Sequence, residues 1–84
     1  MKRAAVISAI LEDPKSTQQQ FNDTIAEFRG IVRGRMGIPM DDLGIAVISL
    51  TVVATMDELN SLTGKLGAIP QVSVKTAVGK KEFE

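Results

Sequence analysis

Residues 33–50 read R-G-R-M-G-I-P-M-D-D-L-G-I-A-V-I-S-L, and this stretch decides the fold. From Ile31 to Ile38, the set Val32, Gly34, Met36 and Ile38 alternates with Ile31, Arg33, Arg35 and Gly37, the two-residue period of a strand. Two arginines on one face and two glycines mark an edge strand with a bulge, because charge and irregularity both discourage pairing with another chain. Pro39 to Gly44 supplies the turn, with Asp41, Asp42 and Gly44 as its polar and flexible residues. Ile45 to Ala54 is rich in Val and Ile and apolar on both alternating sets, the strongest strand signal in the chain. Two strands around a short turn make an antiparallel hairpin.

Both flanks of this hairpin read as a strand and a helix. Upstream, Arg3 to Leu11 is a short apolar run ended by Glu12-Asp13-Pro14. Asp13 is a helix N-cap with proline at the first helical position, and Ser16 with Gln19 offers a second capping box one turn later. Phe21, Ile25 and Phe28 follow at i, i+4 and i+7, and Gly30 is placed to end the helix. Downstream, Thr55-Met56-Asp57-Glu58 matches a capping box, and Leu59, Leu62, Leu66 and Ile69 keep a helical spacing. Gly64 inside this helix costs about 1 kcal/mol relative to alanine, which implies either tight packing at that point or an early helix end. Val72 to Val78 is the last strand, with Val72, Val74, Thr76 and Val78 as its apolar set; residues 80–84 are expected to fray.

The order is therefore β-α-β-β-α-β. The separations from Ile10 to Ile31 and from Leu50 to Val72 are alike, as two βαβ units require, and right-handed crossovers put both helices on one face of the sheet. The expected product is an α+β sandwich, a four-stranded antiparallel sheet in the order 4-1-3-2. It forms one domain over residues 1–79, with 80–84 as a tail. Val6, Ile10, Ile45, Val47 and Val53 cannot all face the helices, so an apolar patch is expected on the open face. Patches of that kind mark protein contacts, and a homo-oligomer, dimer or tetramer, follows as the expectation. Against it, Ala4, Ser8 and Ser49 dilute the patch with small residues.

Composition removes whole classes of chemistry. The 84 residues hold no cysteine and no histidine, so disulfides, thiol chemistry, soft-metal sites and the usual neutral-pH proton shuttle are all absent. No clustered aspartate loop suggests calcium, and no cofactor is expected. Ten basic residues balance ten acidic ones, so the electrostatic footprint of a nucleic-acid binder is missing. The longest apolar run, Ile45 to Ala54, is too short to cross a bilayer as a helix, and the start of the chain reads as a strand instead of a signal peptide. A cytoplasmic protein without a membrane partner is expected.

Catalysis has little material. Glu12-Asp13 and Asp41-Asp42 are adjacent carboxylates, but the first reads as a strand exit with a cap and the second as a turn, so no enzyme is expected. The glycines at 30, 34 and 37 lead into Pro39 and another strand, not a helix N-terminus, and do not make a phosphate loop. The candidate ligand-binding residues are Asp13, Lys15 and Ser16, where a strand hands over to a helix with free backbone N–H groups, and Arg33 with Arg35, which at strand spacing could grip an anion. The plainer alternatives are an Asp13 that caps the helix and arginines that only guard an edge.

The segments A-V-I-S-A-I-L-E-D, V-R-G-R-M-G-I-P, G-I-A-V-I-S-L and D-E-L-N-S-L-T-G-K-L-G-A-I-P-Q-V-S-V-K resemble a family of small proteins described as iron-only hydrogenase system regulators. The resemblance spans nearly the whole chain, and R-M-G-I-P with L-T-G-K-L-G are its most specific parts. It implies a ferredoxin-like, ACT-like fold, similar also to the C-terminal domain of nickel-responsive repressors, and a regulatory or ligand-sensing role; with the candidate residues above, a small anionic or amino-acid-like effector at subunit interfaces is the expectation. Without His or Cys, the nickel binding of those repressors does not carry over. Met40 stands where family members often have an aromatic residue, and Gln71 where ACT domains often have glycine. The second expectation is a transcriptional regulator that binds DNA through the open sheet, against which stand the neutral charge and the lack of Tyr and Trp. A scaffold that binds only another protein is the third.

Overall fold

In the computed structural model, which describes residues 1–84, the six expected elements follow in order: β1 (Arg3–Leu11), α1 (Pro14–Glu27), β2 (Val32–Met40), β3 (Ile45–Ala54), α2 (Met56–Gly67) and β4 (Val72–Val78). The sheet runs β2-β3-β1-β4, the expected order read from its other edge, and every neighbouring pair is antiparallel. β1 and β4 have the expected bounds. β2 runs two residues further than its alternation suggested, because Pro39 pairs with Ala46 and Met40 with Ile45. Proline is tolerated there since β2 is an edge strand, where the missing N–H need not serve the ladder.

One face of the sheet makes the core. Ala5, Ile7, Ala9 and Leu11 of β1 and Ile48, Leu50 and Val52 of β3 are buried against Phe21 and Ile25 of α1 and Leu59, Leu62 and Leu66 of α2. Thr17 and Thr24 are buried too, although their polarity put them outside the α1 stripe; their hydroxyls donate to the carbonyls of Asp13 and Gln20, both at 2.9 Å, so no polar group goes unsatisfied. The opposite face carries the other half of the alternation. Val6 is 44% exposed and Ile10 42%, so these central strands, apolar on both sides, are covered on one side only.

Three local features differ from what the sequence suggests. Gly64 neither packs tightly nor ends its helix: α2 continues to Gly67, and a Cβ at Gly64 would meet nothing within 4 Å. The tail is paired, with Lys2 and Phe83 exchanging two backbone hydrogen bonds of 2.7 Å and the Arg3 guanidinium donating to the Glu82 carboxylate at 3.0 Å. α1 ends at Glu27, before Gly30, in a turn through Phe28 to Ile31. Gln71, where ACT domains often have glycine, has a φ of 62°, the left-handed conformation that glycine adopts without cost and glutamine only with strain.

Candidate functional site

The two helices start differently. At α2 the Thr55 hydroxyl accepts the Glu58 backbone N–H at 3.2 Å, while the Glu58 carboxylate accepts the Thr55 backbone N–H at 2.9 Å. This reciprocal box takes up two of the free donors of that end, the Thr55 and Glu58 backbone N–H groups. It also holds the Glu58 carboxyl below its ordinary value of 4.5, chiefly through the Thr55 backbone N–H, then its hydroxyl, with a smaller contribution from the charge of Lys2. At α1 no side chain caps the backbone. Asp13 Oδ2 instead accepts from the Ser16 hydroxyl at 2.9 Å, and its carbonyl accepts the Ser16 and Thr17 backbone N–H groups. Asp13 therefore does not consume the helix donors in the way a capping aspartate would.

The start of α1 lies against the β2–β3 hairpin, and a cleft of about 790 Å³ opens between them. Asp13, Pro14, Lys15 and Gln18 form one wall; Arg35, Gly37, Ile38 and Pro39 form the other; Asp41 and Gly44 to Ala46 close the end, with Ile48 beneath. The cleft exists because β2 is an edge strand with every residue from Arg33 to Pro39 exposed. Gly37 keeps the wall low: its missing Cβ would stand 3.9 Å from Ile48 Cγ1, so a longer side chain would project into the space.

The bulge decides which arginine takes part. Register shifts between Val32, opposite Val52, and Gly34, opposite Thr51, so Arg33 is the extra residue and Arg33 and Arg35 do not share one face in simple two-residue phase. Arg35 pairs with Leu50, whose side chain is in the core, so it lies on the helix side of the sheet. There its Nη2 donates to Asn22 Oδ1 of α1 at 2.7 Å. One donor of five is thus used to fix the guanidinium, and the rest remain for a ligand. Of the five candidate residues, Asp13, Lys15 and Arg35 line the cleft, whereas Ser16, turned onto Asp13, and Arg33, at the bulge, do not.

Sequence reading passed over Asn22, Gln18, Asp41 and the walls formed by Gly37 and Pro39. Asn22 carried no signal, since the thirteen positions that separate it from Arg35 are bridged only by the fold. Gly37 and Pro39 did carry one, as residues that weaken a strand without an evident structural gain. The arrangement offers two cations, Lys15 and Arg35, and two carboxylates, Asp13 and Asp41, over an apolar floor of Pro14, Pro39 and Ile48. No three His, Cys, Asp or Glu side chains gather to hold a metal ion.

A four-stranded antiparallel sheet in this order, with two helices on one face, is a ferredoxin-like fold of the ACT type. The ACT domain of a GTP pyrophosphokinase from Chlorobium tepidum superimposes with a TM-score of 0.78 at 24% identity, over 92% of this chain and 100% of that one. The C-terminal domain of the MgtC protein from Mycobacterium tuberculosis does so with a TM-score of 0.72 at 19% identity, over 93% and 88% of the two chains. Within that fold, the model of the TM1266-like family, described provisionally as an iron-only hydrogenase system regulator, matches residues 3–76, and the chain belongs to that family. The uncharacterized protein TM1266 from Thermotoga maritima is 31% identical, with a TM-score of 0.91 over 95% of this chain and 100% of its own. No curated protein matches the sequence. The family description is that of a regulator, not an enzyme. No helix is long and apolar enough to cross a membrane.

Proposed function

We propose that this chain is a non-catalytic, ACT-like regulatory module of an iron-only hydrogenase system. It works in the cytoplasm as a homo-oligomer and senses a small anionic or amino-acid-like effector in the cleft between α1 and the β2–β3 hairpin. The observation that carries this reading is the meeting of Lys15 and Arg35, twenty positions apart in sequence, over one apolar floor. Arg35 is already oriented by Asn22, so a carboxylate or phosphate would meet a prepared donor and not a mobile one. The open face supports self-association. By register it carries Val6, Ile10, Val47, Val53, Met36 and Ile38, and apart from the bulge residue Arg33 its one charged strand residue is Lys75. Depletion of charge is the compositional mark of an interface core, and it argues against a phosphate-binding surface.

Native mass spectrometry of protein purified without denaturation tests both halves. A homo-oligomer that carries a small extra mass supports the reading and identifies the effector. A bare monomer that takes up no anion or amino acid on titration rejects it. DNA affinity that falls steeply with salt would replace it with the transcriptional alternative.

A further inference from the structure

Gly37 is a glycine that the backbone does not require. It lies in the uninterrupted part of the β2–β3 ladder, past the bulge at Arg33, and pairs with Ile48. Gly44 is the glycine with a left-handed φ, so Gly37 holds a backbone that any residue adopts. A Cβ there would meet only Ile48 Cγ1, at 3.9 Å, an ordinary van der Waals contact. The other glycine of the strand differs, because Gly34 sits at the bulge itself, opposite the exposed Thr51.

The position is also one that a side chain would normally fill. Arg35 and Gly37 pair with Leu50 and Ile48, both buried under the helices, so residues 35 and 37 stand on the helix side of the sheet. A β-branched or aromatic residue, the usual occupant of a strand, would lie on Ile48 there and fill that part of the cleft. Glycine inside a strand gives up this packing, and with no turn, bulge or close backbone contact to explain it, the remaining use is the approach of another molecule.

We propose that Gly37 keeps a seat open over Ile48 for an apolar side group of the cleft's effector, and that residue 37 sets how large that group can be; this rests on the effector reading above. Pro14 and Pro39 complete the apolar lining of the seat. The charges of the lining select the other end of the ligand. Lys15 and Arg35 are matched by Asp13 and Asp41, so a bare anion meets two carboxylates as well as two cations. A head that carries both an ammonium and a carboxylate finds a partner for each. The ligand is therefore a small zwitterion with an apolar side group.

Calorimetric titration of the full chain tests this with leucine, with glycine, which lacks the side group, with isocaproate, which lacks the ammonium, and with isoamylamine, which lacks the carboxylate. Leucine is expected to bind about tenfold or more tightly than each of the others. In Gly37→Val protein, leucine binding is expected to fall about tenfold or more while glycine binding changes by less than about threefold. The urea midpoint of that variant is expected to rise, because the valine covers Ile48. Gly37→Ala, whose methyl makes only an ordinary contact, should show the same changes at smaller size. Leucine no tighter than glycine, unchanged leucine binding in both variants, or an equal loss of leucine and glycine overturns the seat. Isocaproate as tight as leucine overturns the zwitterion and leaves the anion. If none of these probes and no inorganic phosphate binds the parent chain, the effector reading itself fails; binding in any other order of affinity overturns this inference alone.

Discussion

The starts of α1 and α2 use the same local sequence device and end in different chemistry. Asp13-Pro14-Lys15-Ser16 and Thr55-Met56-Asp57-Glu58 each place a capping residue before the helix. At α2 the acidic residues Asp57 and Glu58 occupy the first turn and the box closes on itself, so that end is electrostatically complete. At α1 the first turn holds no acid, the aspartate bonds to a serine hydroxyl, and the lysine faces a cleft. The α2 start turns its side chains onto the helix itself, whereas at α1 the Ser16 and Thr17 N–H groups go to the Asp13 carbonyl and a lysine side chain is left to face the cleft.

The largest effect should come from breaking the open end. Lys15→Ala and Arg35→Ala are each expected to weaken the binding of an anionic probe by about 10- to 100-fold, the usual loss for a charge-assisted hydrogen bond. Calorimetric titration checks this, with Thr55→Ala as the variant that should bind normally. Next in size, Thr55→Ala should cost about 1 kcal/mol of stability in urea, while Asp13→Ala should cost only a few tenths, because it caps no backbone N–H. Equal losses would erase the distinction between the two ends.

A further contrast lies inside α2. Gly64→Ala should raise stability by about 0.5–1 kcal/mol, since the added methyl meets nothing and the helix is already closed at its start. A loss would show that another molecule approaches the helix there. The smallest effect is the pH dependence of the closed end. The folded Glu58 carboxyl lies below its ordinary 4.5, so its contribution is complete above that value and fades as pH falls through the lower, folded value. Glu58→Gln should flatten this part of an acid titration followed by circular dichroism.

The fold was legible because it rests on local signals that the tertiary structure did not contradict. A bounded apolar run defined β1 and alternation defined β4 to the residue, the Thr55 box marked the start of α2, and matched segment lengths with right-handed crossovers left one strand order. The misses came where a local rule had no competitor in view. Pro39 looked like a turn because proline lacks a ladder N–H, and its pairing with Ala46, which carries the edge strand past it, lies across the hairpin. Gly64 looked structural because an exposed cost in an isolated helix can be carried by tertiary packing elsewhere. The tail looked free because its partner, Lys2, stands at the other end of the chain.

The candidate site was legible only in part, and the reason is separation. Asp13 and Lys15 stand two positions apart at a strand–helix junction, so a charged helix start can be read directly. Arg35 could be singled out but not assigned a place, since a one-residue bulge at Arg33 changes which arginine meets the helix. Residue types and their periods determined the elements, their order, the core face and the apolar character of the open face, because these follow from hydrogen-bond geometry and burial acting over a few residues. Only the tertiary structure decided that the first turn of α1 and the hairpin wall line one cleft, and that Asn22 holds the arginine of that wall. Those groups lie far apart along the chain, and what joins them is the packing of a whole helix against an edge strand.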